Sequence, residues 1–142
     1  TDRRYAARVR ARLREPDLVG RVVVHGPRPA DQVAAMYEAA DAFVLPSTKE
    51  PYGTVLGEAL AAGLPVVGWD AGNLPHLITN GREGVVLPVG DIDGLTAAIA
   101  RLASDEGARH AMADAARTRG NALPTWDDTA REFFAALREV SR

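Results

Sequence analysis

Two acidic residues, Glu50 and Glu58, stand eight positions apart in the stretch LPSTKEPYGTVLGEALAAGLPVV. Such a pair can grip hydroxyl groups if one carboxylate lies in a loop and the other on the helix that follows it. The local pattern supplies that arrangement. Phe43–Leu45 reads as a strand ending at Pro46; a polar loop then leads into a helical run that closes at Gly63, ahead of a second strand at Val66–Val67. Glu50 then sits where the helix begins, and Glu58 about one turn inside it. Helical side chains lean toward the N-terminus, so Glu58 can point at the mouth that Glu50 lines. Between them Gly53 lets the backbone approach a ligand closely. The free N–H groups near Thr54 and Val55 offer the positive end of a helix dipole to a phosphate. Two carboxylates for hydroxyls beside a place for phosphate suit a sugar nucleotide. Acidic residues also occur at helix starts simply as partners of the dipole. A carboxylate pair flanking one bond is, in turn, the equipment of a glycosidase. Spacing alone leaves these readings open.

The elements that must hold this pair alternate between helix and strand, which predicts an α/β fold with a doubly wound parallel sheet. Further strands are expected at Val22–Val24, bounded by Gly26–Pro27, and at Val85–Leu87. Helices are expected over Tyr5–Leu13, with Val9 and Leu13 as the apolar face, and over Gln32–Ala39, with Val33, Met36, Tyr37 and Ala40 on one side. Ile92, Leu95, Ile99 and Leu102 form a helical stripe, opened by Asp91 as N-cap. Arg109–Arg117 and Thr129–Val140 complete the set, the last buried through Phe133, Phe134 and Leu137. Pro124 is the hinge candidate before that helix. Trp69 and Trp126 read as packing residues. Asp70, Asp91 and Asp93 fit no ligand spacing, so no metal is expected.

Composition narrows the classes. A length of 142 residues suits one domain with a real core. A net charge of −2 argues against a nucleic-acid scaffold, and the lack of cysteine excludes a disulfide frame and thiol chemistry. No apolar run approaches the length of a membrane span. The expected compartment is the cytoplasm, with peripheral membrane association left open.

Pro46, Ser47, Glu50, Tyr52, Gly53, Glu58, Ala59, Gly63, Pro65, Val66 and Val67 together form a long fixed-spacing pattern. It resembles the signature of retaining glycosyltransferases of the GT-B fold, family 4 (glycosyl transferases group 1). The likeness extends through GRVVVHGPRPADQVAAMYEAADAFVLPS before it, AGNLPHLITNGREGVVLPVGDIDGLTAAIARL after it, and PTWDDTAREFFAALREV near the end. One departure stands at Gly72, Asn73 and His76, where the family usually has Gly-Gly and then Glu.

The resemblance implies a C-terminal, donor-binding domain spanning 1–142, with 124–142 a helix that crosses back to an N-terminal domain. By the same resemblance Glu58 grips the ribose and Glu50 contacts the sugar, the latter as the catalytic positioning residue. The backbone from Tyr52 through Gly53 and Thr54 to Val55 holds phosphate and sugar. Gly26, Pro27 and Arg28 belong to the base pocket. The substrate is a GDP-, UDP- or ADP-sugar, no cofactor is needed, and nucleic acid is not a partner. Two βα units, with the basic residues that face the donor diphosphate, are missing relative to the family, and the chain alone is expected to be inactive. The gap between the strands at Val22 and Phe43 then calls for direct pairing, a partner chain, domain swapping or a homodimer. The alternatives are a nonhydrolysing sugar-nucleotide epimerase of the same fold and a noncatalytic α/β module that binds nucleotides or a protein.

Overall fold

The computed structural model of the chain describes residues 2–140; Thr1 and the last two residues of the expected 124–142 segment, Ser141 and Arg142, lie outside the described residues. Two compact units are present, 1–33 and 34–142, and the division falls inside a helix.

The first unit holds α1 (Arg3–Arg12), which starts two residues ahead of the expected Tyr5. The reason is a cap: Asp2 Oδ1 accepts the N–H groups of Arg4 at 2.8 Å and Tyr5 at 3.1 Å. Past the helix, Arg12 donates to the Asp17 carboxylate through its two terminal guanidinium nitrogens, at 2.7 and 2.6 Å. Helix α2 (Ala30–Glu38) carries the chain across the division. The strand expected at Val22–Val24 does not form. These three valines lie in irregular backbone and are 47–70% exposed. β-propensity expresses fit to a pleated, half-buried surface rather than a backbone preference. Among the described residues no strand pairs with this run.

The second unit is built on a parallel sheet of order β1-β2-β3, with β1 Phe43–Leu45, β2 Val66–Trp69 and β3 Gly84–Leu87. Phe43 pairs with Val66, and Val66 with Gly84. Helix α3 (Thr54–Ala61) follows β1, α4 (Leu74–Leu77) follows β2, and α5 (Ile92–Ser104), α6 (Glu106–Asn121) and α7 (Trp126–Val140) follow β3.

Consecutive residues of β2 face opposite ways, so the strand feeds two cores. Val66 joins Leu56, Ala59, Leu60 and Leu64, together with Leu74, Ile78 and Ala116. Val67 joins Ala98, Leu102 and Met112. Every residue of β2 is buried, as a central parallel strand covered on both faces requires. Asp91 caps α5 as expected, accepting the Gly94 N–H at 2.9 Å.

Several burial expectations are corrected. In α5 Leu102 is buried, but Ile92 and Ile99 face solvent. Val9 on α1 is exposed as well. In α7 Phe133 and Phe134 are 59% and 58% exposed and Leu137 is 46% exposed, rather than buried. Trp69 is buried, but Trp126 is 89% exposed and packs into no core. Periodicity orients an apolar face; it does not supply the neighbour that covers Phe133, Phe134 or Trp126. Among the described residues no helix is long and apolar enough to cross a membrane.

Candidate functional site

Parallel strands in register deliver their following loops to the same edge of the sheet. The loop after β1 carries Glu50 and Tyr52, and the loop after β2 carries Gly72 and Asn73. The two loops are tied together. The Asn73 N–H donates to the Glu50 carbonyl at 3.0 Å, and Asn73 Nδ2 donates to the Tyr52 carbonyl at 2.7 Å. Gly72 takes a left-handed φ of 57° and sits so close that a Cβ would strike the Glu50 carbonyl oxygen. A glycine is required there by both conformation and space. Asn73, which departs from the family pattern, is thus the brace of the glutamate loop.

Gly53, with φ 70°, is the N-cap of α3 and is buried; no side chain caps the helix. The N–H groups of Thr54 and Val55 therefore stay open to a ligand. Glu50 is half-buried, and its Oε1 accepts the Gly53 N–H at 3.2 Å, so part of its carboxylate braces its own loop. Glu58 lies on the exposed side of α3, where its Oε2 accepts a hydrogen bond from the Tyr37 hydroxyl at 3.2 Å. Tyr52 is 84% exposed, and its backbone carbonyl is held by Asn73. Ser47 closes a small turn, donating to the Lys49 carbonyl at 3.2 Å. Gly26, Pro27 and Arg28 all lie exposed in the first unit, Gly26 with φ 65°.

Burial of the Tyr37 ring pushes its hydroxyl pKa up to about 12, with the Glu58 charge and the hydrogen bond to it adding to the effect. The hydroxyl therefore stays protonated at neutral pH and serves as a hydrogen-bond donor. Its ring packs against the first core and meets Phe43 at 5.7 Å, tilted by 51°.

Among the described residues, two of the hollows in the second unit are lined by neither Glu50 nor Glu58. One of about 330 Å³ sits beside β1, with Val44, Ile99 and Arg109 in its wall. One of about 420 Å³ includes Asp70, His76, Thr79 and Asn80.

Sequence reasoning missed Asn73 and Tyr37 as site residues. Tyr37 was visible only as part of an apolar helix face. The useful signal was its polar tip, since a half-buried tyrosine hydroxyl needs a partner.

The parallel α/β layer matches solved glycosyltransferases of the GT-B fold. HepE of Anabaena, solved with UDP, superposes with a TM-score of 0.86 at 25% identity over 96% of this chain and 37% of that one. The chain belongs to the family described as glycosyl transferases group 1, which matches residues 3–119. It is 33% identical over 114 residues to the D-inositol 3-phosphate glycosyltransferase of Corynebacterium urealyticum, covering 80% of this chain. It is 39% identical over 111 residues to the glycogen synthase of Mycobacterium tuberculosis, covering 75% of this chain. In both cases it spans 27% of the relative's length.

Proposed function

We propose that this chain is the donor-binding, C-terminal part of a retaining family 4 glycosyltransferase that moves a sugar from a nucleoside diphosphate sugar to an acceptor hydroxyl. The anomeric bond to the diphosphate breaks, a bond to the acceptor oxygen forms, and the acceptor hydroxyl's proton goes to the departing nucleoside diphosphate. The observation that carries this reading is the uncapped N-terminus of α3, set between Glu50 on the braced loop and Glu58 one turn along the helix. The helix end stabilises the leaving diphosphate through its dipole and free N–H groups. Glu58 accepts from the ribose hydroxyls. Glu50 orients the sugar. Gly26, Pro27 and Arg28 are proposed for the base. The family assignment and the UDP in the Anabaena structure support a nucleotide-sugar donor. The acceptor site and the basic residues facing the diphosphate are assigned to parts of the enzyme beyond this chain, so the 142-residue chain alone transfers no sugar; the cytoplasm is the proposed compartment.

The test is made on the full-length protein, with calorimetric affinity for GDP, UDP and ADP and kcat with the matching sugar donor. Glu58→Gln keeps size and helix propensity but removes a charged acceptor, a loss of about 1.5–3 kcal/mol. Affinity for the nucleotide should fall at least about tenfold. Glu50→Ala should leave the bare nucleotide binding nearly as before while kcat drops sharply, because a loosely held sugar loses positioning. Normal kcat beside a lowered melting temperature would reduce Glu50 to a loop brace. Indifference of the wild type to all three nucleotides would favour a noncatalytic module.

A further inference from the structure

Glu58 is an exposed glutamate with three rotatable side-chain torsions, and ordering such a side chain costs free energy on binding. A carboxylate that must meet a ribose diol is more effective if one oxygen is already held. Among the described residues no lysine or arginine forms an ion pair with Glu58. Its side-chain hydrogen bond comes from Tyr37, 21 residues earlier in the chain. Tyr37 is itself fixed, by contact with the buried core and by the ring of Phe43 at the start of β1. A rigid path thus runs from the sheet edge through two rings to a hydroxyl and then to the carboxylate.

We propose that Tyr37 is a positioning residue for nucleotide recognition: its hydroxyl holds Glu58 Oε2 and so presents Oε1 to the donor ribose. This rests on the reading of Glu58 as the ribose grip. At 3.2 Å the bond is longer than the roughly 2.7–2.8 Å of most O–H···O bonds. Such contacts in ligand-free sites often tighten when the ligand arrives. The expected contribution is therefore modest, smaller than that of Glu58 itself.

The experiment uses the full-length protein as wild type, Tyr37→Phe, Glu58→Gln and the double variant. Calorimetry is run with GDP, UDP and ADP, and then with the 2′,3′-dideoxy form of whichever binds most tightly. Thermal melting is recorded for each protein. Tyr37→Phe keeps the ring and should melt close to wild type. It should weaken nucleotide binding about three- to tenfold, the range expected for one hydrogen bond. The loss should vanish with the dideoxy nucleotide and in the Glu58→Gln background, because the hydroxyl acts only through that carboxylate.

An unchanged affinity in Tyr37→Phe beside a weakened Glu58→Gln overturns the positioning role and leaves the ribose grip standing. A loss in Tyr37→Phe that persists with the dideoxy nucleotide, or adds fully to that of Glu58→Gln, assigns Tyr37 to the framework and overturns the proposal as well. An unchanged affinity in Glu58→Gln, or no binding of any nucleotide by the wild type, removes the ribose grip and the proposal with it.

Discussion

Val66–Val67 and Val22–Val24 carry the same chemistry in opposite circumstances. In β2 both valines are fully buried, one in each core, with parallel partners on either side. In the first unit the three valines lie in irregular backbone and face solvent. A β-branched residue gains about 1.5–3 kcal/mol from full burial, and none of this is collected without a neighbour. Strand chemistry is therefore a capacity, and a paired neighbour turns it into structure.

The largest test of that contrast is made in the cores. Leu60 is fully buried between α3 and the sheet. Leu60→Ala should destabilise the 142-residue chain by about 2–5 kcal/mol in denaturant unfolding. Val24→Ala in the same chain should stay within about 0.5 kcal/mol. Equal costs would show that the first unit is packed in solution, and the contrast would fail.

A finer comparison keeps shape and changes polarity. Val67→Thr puts a hydroxyl into a dry core and should cost about 1–3 kcal/mol. Val23→Thr should cost less than about 0.5 kcal/mol in this chain. In a longer polypeptide that supplies strands beside this run, Val23→Thr should rise to the Val67→Thr range. The same equilibrium unfolding measurement decides, and a persistently small cost there would sink the expectation of flanking strands.

The smallest effect lies at the margin of the buried region, on Tyr37. Folding raises its pKa from about 10 to about 12. The neutral hydroxyl is favoured in the folded state, so its stabilisation is complete below about pH 10 and fades as pH rises through about 12. Phenolate absorbance should lose a component near pH 12 in Tyr37→Phe. In Glu58→Gln that component should move down only in part, because burial is the larger cause. If Tyr37→Phe instead removed a component at the ordinary tyrosine value, the ring would not be held against the core.

Much of the molecule was legible in the chain itself. Phe43–Leu45, the Asp91 cap, the α3 run ending at Gly63 and the parallel α/β order all follow from patterns a few residues long. Glu50 and Glu58 were legible as a loop and helix pair for the same reason. The burial of α7 was misjudged because periodicity orients a face without providing its cover. Helix starts slipped where a cap such as Asp2 was overlooked.

The sequence alone placed Glu50 in a loop and Glu58 on the helix that follows, since capping, turn residues and periodicity act between near neighbours. Only the tertiary structure decided what holds them. Tyr37 reaches Glu58 and Asn73 reaches Tyr52, each across 21 residues. The Asn73 contact exists because parallel strands bring the loops that follow them to one edge, and the Tyr37 contact because α2 and α3 pack on one core, consequences of packing that no short stretch of sequence contains.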